Sequence, residues 1–207
     1  MRKRIFDVAM SATLLMVTLP LVLALAVLLG ASLRAWPVFT QIRVGQNGRP
    51  FRFLKLRTLP PTADPYADKY RLGTVETPAV ARLVRRSHLD ELPQLLLVLT
   101  GRMSLVGPRP EMPPLHADMP EWFAGERVSV RPGCTGLWQI SKASDGLISE
   151  SPEYDRFYVR HQSIRFDLWI LAHTVPVMAA RRAKITFDDL PEWCLQDQPA
   201  VTVPNHR

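Results

Sequence analysis

The sequence predicts a mainly helical α+β protein in which an apolar N-terminal helix enters a membrane and a small globular domain follows it. Three observations predict this. No charged residue occurs from Val8 to Leu33, a run dominated by Leu, Val and Ala and long enough to cross or deeply enter a bilayer. From Pro37 to Leu59 short apolar runs alternate with turn signals, the pattern of a β-hairpin. Beyond Pro78, stretches of helical spacing alternate with Pro- and Gly-rich turns. A chain of 207 residues accommodates one ordinary domain and an accessory element. The expected division is a basic start and membrane helix over 1–36, a globular domain over 37–187 and a Pro-rich peripheral tail over 188–207.

Within the membrane segment a spanning helix, a cleaved signal peptide and a helix that returns on the same side compete. The apolar run exceeds a typical signal core, which ranks that reading last. Arg2, Lys3 and Arg4 precede the run, and Arg34, Arg43, Arg49 and Arg52 follow it. Basic residues stay on the cytoplasmic side, so both flanks read as cytoplasmic. Pro20 lacks the N–H that would bond one turn back and crowds the preceding turn, which kinks the helix. A kinked insertion accounts for the symmetric charge, yet membrane helices also tolerate proline while spanning, so the residues alone leave both readings open. Asp7, beside the apolar entry, reads as an interfacial cap or a partner for a nearby basic residue.

The hairpin is expected around Asn47-Gly48, between Val38-Phe39-Thr40 and Phe51-Arg52-Phe53-Leu54. Residues 60–78 read as a surface loop and Ala79 to Arg86 as a helix. Leu89 to Leu99 is apolar on most faces and reads as one buried helix, with Ser87 and Asp90 as a capping start. Gly107-Pro108-Arg109-Pro110 and Arg131 to Gly136 read as rigid turns without regular structure, of the kind that often carries function. Tyr154 to Arg160 and Phe166 to Arg182 read as helices. The second mixes aromatic and basic residues suited to a membrane surface, although a core helix with a solvated basic end fits as well.

A formal charge of +7 favours polyanionic partners: nucleic acid, anionic lipid headgroups or nucleotide diphosphates. Aromatic residues interleaved with basic ones are scarce outside the membrane elements, which argues against nucleic acid. Cys134 and Cys194 are the only cysteines and read as reduced cytosolic thiols. The five histidines form no metal pattern, Ser104 and Ser141 lack a nucleophile-elbow context, and no phosphate-binding glycine loop precedes a helix.

Asp90 and Glu91 are the candidates for chemistry, although acidic residues in a first turn more often serve only as caps. Adjacent side chains at a helix start diverge by about 100° and cannot share one proton, so they take different parts. A carboxylate in a first turn is expected to stay ionised, which suits a nucleophile toward phosphorus. Its neighbour could hold magnesium, which prefers one or two carboxylates plus phosphate oxygens. Lys55, Arg57, Arg85, Arg86, Arg109 and Arg131 lie in or beside motif-like segments, where guanidinium forks suit a diphosphate. Arg86 and Arg131 read as solvated surface charges.

An ordered series across Lys3 to Thr174 resembles the bacterial sugar transferases, the monotopic polyprenyl-phosphate phosphoglycosyl transferases. The series comprises Lys3-Arg4-Ile5-Phe6-Asp7, the apolar run with Pro20, Pro37-Val38-Phe39-Thr40-Gln41 with Arg43 and Gly45, and Lys55-Leu56-Arg57-Thr58. Ser87 to Leu95, Met103 to Pro110, Arg131 to Gln139, and Tyr154-Asp155, Tyr158, Ser163 and Asp167 complete it. The resemblance implies a re-entrant helix broken near Pro20, with the globular domain on the cytoplasmic face of the inner membrane. It further implies that Asp90 attacks the sugar-linked phosphorus of a UDP-sugar, releasing UMP, and that polyprenyl (undecaprenyl) phosphate then takes the sugar phosphate. Glu91, with Asp90, would hold Mg2+. Lys55, Arg57, Arg85, Arg109, Gln139 and Asp167 fall on matching motifs and are expected as substrate-site residues.

Two departures stand out. Leu19 replaces the usual serine before the proline, leaving Thr18 as the nearest hydroxyl. Lys142-Ala143 stands where the family continues to Gly-Arg, which removes a guanidinium and bears on substrate choice. Two rival functions remain: a non-enzymatic basic module tethered to a membrane, and a glycosyltransferase that moves sugar without phosphate and yields UDP.

Overall fold

A computed structural model describes residues 1–64, 75–178 and 184–195. Helix α1 (Arg2–Leu33) contains Pro20 with helical residues on both sides, and ends at Arg34, which takes left-handed φ 48° while its N–H bonds Gly30 O. The Thr18 hydroxyl donates back to Leu14 O at 2.7 Å. Most of the apolar run faces outward, with Met16, Val17 and Val27 at least 70% exposed. In water that surface would be unfavourable; its length and composition suit a membrane.

Both ends of α1 pack on the globular body. At the start, Asp7 and Ser11 are buried, and Phe6 and Met10 touch the main core. At the other end, Leu29 is fully buried in a second cluster with Leu56, Ala81 and Val84.

The expected hairpin is present. Strands β1 (Val38–Val44) and β2 (Pro50–Leu56) pair antiparallel, from Val38 with Leu56 to Val44 with Pro50. The connecting turn puts Asn47 at φ 57° and Gly48 at φ 72°, the left-handed pair for which Asn-Gly is suited. Helix α2 (Ala79–Arg86) follows as expected, and then α3 (Gln94–Leu99). Arg4 closes the end of α3, donating to Val98 O at 2.5 Å and Leu99 O at 2.8 Å, carbonyls that a helix end leaves without intrahelical partners.

Gly107 to Pro110 is without regular structure, as expected, but Arg131 to Gly136 contains a strand. Strands β3 (Ser104–Val106) and β4 (Gly133–Thr135) pair in parallel, Ser104 with Gly133 and Val106 with Thr135. Glycine permits the approach: a Cβ on Gly133 would lie 2.1 Å from Gly107 N, and one on Gly107 would lie 2.4 Å from Arg131 O. Both obstacles are backbone, so Gly133→Ala is expected to cost about 3 kcal/mol, read as a fall in Tm; an unchanged Tm would show that the crossing can widen.

Helices α4 (Pro113–Ala117), α5 (Glu121–Val128), α6 (Leu137–Ile140), α7 (Pro152–Arg160) and α8 (Ile164–Met178) enclose a core with Tyr158, Phe123, Phe166, Met103, Leu137 and Ile170 fully buried. Helix α8 begins two residues before the expected start, and its predicted end at Arg182 falls outside the described residues. Its buried Phe166, Asp167 and Ile170 face the core, while Leu168 and Val175 are exposed. Much of the expected 60–78 loop also lies outside the described residues. The tail boundary at 188 falls too early: Leu190 and Cys194, on and before α9 (Glu192–Leu195), are buried in the main core. Both cysteines are free thiols, as expected.

Candidate active site

The carboxylates do not sit in the first turn of a long helix, as the sequence suggested. His88 takes left-handed φ 56°, Leu89–Glu91 form a single 3-10 turn, and α3 begins only at Gln94, after Pro93. Pro93 has no N–H to bond Leu89 O one α-turn back, and that carbonyl instead accepts from Leu92 N at 3.4 Å. Ser87 provides no cap, because its hydroxyl turns back to Leu83 O and Val84 O. The tight turn places Asp90 against the hairpin, where it is 4% exposed.

Burial changes the carboxylate's chemistry. Desolvation, followed by repulsion from Glu91, lifts the Asp90 pKa from the ordinary 3.8 to about 7, while Lys55, its own backbone N–H and Arg85 pull it down. The expectation of a firmly ionised Asp90 is thus corrected: a short turn lacks the dipole of a long helix, and loss of water dominates. Lys55, on β2, is lowered by its own burial; Asp90 and Glu91 oppose that lowering, and Arg85 and Arg109 add to it. Asp90, Glu91, Lys55, Arg85 and Arg109 therefore form one electrostatic group assembled from four segments of the chain. Lys55→Met would leave burial and Glu91 less opposed at Asp90. We expect the rising limb of the pH–rate profile to move to higher pH and activity at pH 7 to fall about tenfold; an unmoved profile would separate Lys55 from Asp90.

The loop carrying Arg109 is fastened along its length. Pro108 O accepts from Gly133 N at 2.9 Å, Arg109 O from Arg127 at 2.7 Å, Pro110 O from Arg43 at 3.2 Å and Glu111 O from Val44 N at 2.9 Å. Arg127 also donates to Asp155 at 2.7 Å, and both side chains are buried. Sequence reasoning gave Arg127 no role; a charged residue one turn from Phe123 on the apolar face of α5 was the signal to use.

Not every expected residue joins the acidic pair. Arg57 donates from Nε to Trp36 O at 2.9 Å and lies over Phe39, 5.8 Å from its ring centre. Gln139 donates to Cys134 O at 3.0 Å, and its Oε1 is buried without a partner. Asp167, fully buried, accepts from Lys3 at 2.6 Å and is bonded to the Tyr158 hydroxyl at 2.8 Å; it anchors the start of α1. Asp7 accepts from Ser104 Oγ and Leu105 N and lies 3.6 Å from Lys3, the basic partner that was expected. Arg86 is exposed as expected. Arg131 is not a free surface charge, since it bonds Gly101 O at 3.0 Å.

Among the described residues no group of three or more His, Cys, Asp or Glu side chains could enclose a metal ion. The donor set of Asp90 and Glu91 nonetheless suits magnesium: two hard carboxylates, with Glu91 partly accessible, leave coordination places for phosphate oxygens and water.

Two carboxylates with three neighbouring cations, on a chain whose N-terminal helix suits a membrane, fit the class of membrane-associated enzymes of phosphate chemistry. The chain belongs to the bacterial sugar transferase family, whose model matches residues 1–181. It is 38% identical to the UDP-glucose:undecaprenyl-phosphate glucose-1-phosphate transferase of Caulobacter vibrioides, across 85% of this chain and 69% of that protein. The exopolysaccharide production protein ExoY of Rhizobium meliloti is 32% identical, across 88% of this chain and 87% of its own length. A UDP-glucose:undecaprenyl-phosphate glucose-1-phosphate transferase of Klebsiella pneumoniae is 34% identical, across 84% of this chain and 39% of its own.

Proposed function

We propose that the protein transfers a sugar 1-phosphate from a UDP-sugar to polyprenyl (undecaprenyl) phosphate, initiating a surface glycan. An Asp90 oxygen attacks the sugar-linked phosphorus. The bond from that phosphorus to the oxygen bridging the two phosphates breaks, and UMP leaves with the electron pair. An oxygen of the lipid phosphate then attacks the phosphorus held on Asp90, the phosphorus–carboxylate bond breaks, and the Asp90 carboxylate returns. Lys55, Arg85 and Arg109 offset the diphosphate charge. Mg2+, when bound at Asp90 and Glu91, supplies charge neutralisation at the phosphate oxygens.

The observation that carries this reading is the buried Asp90 carboxyl, poised near neutrality amid Glu91, Lys55, Arg85 and Arg109, on the segments that match the family. The names of the relatives support the donor and acceptor classes. A re-entrant α1 on the cytoplasmic face is supported by the contact of both its ends with one globular body. A spanning helix would carry one end about 30 Å away across the bilayer core.

The test is to incubate the nanodisc-held protein with magnesium, undecaprenyl phosphate and a panel of UDP-sugars beginning with UDP-glucose, and to assay UMP and UDP separately. UMP release that disappears in Asp90→Asn is expected. UDP as the sole product would establish sugar transfer without phosphate instead. No nucleotide product from any donor would favour a tethered binding module.

A further inference from the structure

We propose that the cleft between the end of α1 and the hairpin holds the acceptor lipid, with its phosphate at Arg57 beside Lys55 and its isoprenoid chain leaving over Trp36 toward the membrane. This rests on the transfer reaction proposed above. The cleft encloses about 470 Å³ and is walled by Trp36, Val38, Phe39, Thr40, Arg57 and Pro61, among others. Trp36 is 75% exposed and lies three residues beyond the last residue of α1, and an aromatic residue at that place favours the headgroup level.

The cleft adjoins Lys55 through the Phe39 ring. Arg57 N bonds Pro37 O at 2.7 Å and Arg57 Nε bonds Trp36 O, which ties the helix exit to β2. The Phe39 ring lies beneath both cations, 5.3 Å from Lys55 Nζ and 5.8 Å from the Arg57 guanidinium carbon. Arg57 lies one residue past β2, and its backbone bond to Pro37 continues the ladder, so Lys55 and Arg57 share one face, roughly 7 Å apart along the chain. A phosphate at Arg57 is thus one side chain away from the cation that acts on Asp90.

The occupant follows from the chemistry of the walls. Arg57, Thr40 and the Trp36 indole N–H supply the polar side-chain groups among the cleft residues, with the Thr40 hydroxyl the one acceptor, a poor set for reading both the donors and the acceptors of a uracil ring. One cation backed by Trp36, Val38, Phe39 and Pro61 matches a phosphate on a hydrocarbon chain.

Trp36→Ser and Arg57→Met, with Arg57→Lys as the conservative control, test this in nanodiscs. Two readouts are needed: UMP released in a single turnover without acceptor, and the apparent KM for undecaprenyl phosphate. Arg57→Met is expected to raise that KM about tenfold and Trp36→Ser by a few-fold, with partial recovery in Arg57→Lys. Acceptor-free UMP release by Trp36→Ser is expected to stay within about twofold of wild type, and that by Arg57→Met to fall much less than its lipid KM rises, since the first transfer does not use the lipid. An unchanged lipid KM in both variants, or an equal loss in the acceptor-free step, would overturn the proposal. Crosslinking of a benzophenone-bearing polyprenyl phosphate to the Trp36 peptide reads occupancy without turnover. Lipid crosslinked there by a protein that releases no UMP would uphold the site and overturn the transfer reaction; normal UMP release without that crosslink would overturn the site alone.

Discussion

Asp90→Asn is expected to abolish turnover, by at least roughly a thousandfold, while making the metal-free protein more stable at neutral pH. The two effects have one cause. Burial and Glu91 disfavour the charged carboxylate more than Lys55 and Arg85 favour it, which is why its pKa stands at about 7. Between the ordinary 3.8 and that value the native state binds more protons than the unfolded chain, so wild-type stability falls as pH rises through this window. Asparagine keeps the shape and carries no charge to desolvate, but it cannot attack phosphorus. In EDTA the variant should gain about 2 kcal/mol over wild type at pH 8, with a smaller gain at pH 5, or about 4–8 °C in Tm at the higher pH. Equal melting at both pH values would contradict the buried environment assigned to Asp90.

Lys3→Met should destabilise the protein by roughly 3–5 kcal/mol at pH 8. Lys3 bonds the fully buried Asp167 at 2.6 Å and Val106 O at 3.4 Å, and the Tyr158 hydroxyl lies 2.8 Å from both of these acceptors, its single proton serving one at a time. Removing the ammonium leaves an uncompensated buried carboxylate, the costly case for a broken ion pair. Asp167 is already raised by burial, with Lys3 the leading opposing influence, so without Lys3 its pKa rises further. The native state of the variant then takes up a proton at lower cost in acid, and the deficit should shrink at pH 5. Adding Asp167→Asn should recover part of the loss. Melting curves of both variants at the two pH values check this; a Lys3→Met protein as stable as wild type at pH 8 would remove the anchor role.

Much of this was legible in the sequence where the signal is local. Asn47-Gly48 between apolar runs identified the hairpin, an uncharged run identified α1, and residues 79–86 identified α2. Asp90 and Glu91 were singled out on their residue types, and the cations gathered round them through motif position and resemblance. What stayed hidden depends on contacts between distant segments. Strands β3 and β4 have three residues each, too few for a period, and their pairing depends on glycines meeting across the fold. The state of Asp90 was misread because dipole and capping arguments concern the local helix, whereas desolvation comes from the hairpin packed over it. Arg127 passed unnoticed for a similar reason: its partners Asp155 and Arg109 O lie on other elements. The peripheral tail was drawn from its prolines, and Leu190 and Cys194 fill the core despite them.

The most direct test of the central claim is to mix the protein with a UDP-sugar carrying 32P at the sugar-linked phosphorus, with no lipid acceptor, and to follow both protein and nucleotide. The account predicts label on the protein, located by peptide mapping to Asp90, together with UMP release of up to one equivalent. Undecaprenyl phosphate added afterwards should chase the label into lipid. Product formed with lipid while the protein never carries label, or label in the same amount on Asp90→Asn, would contradict it.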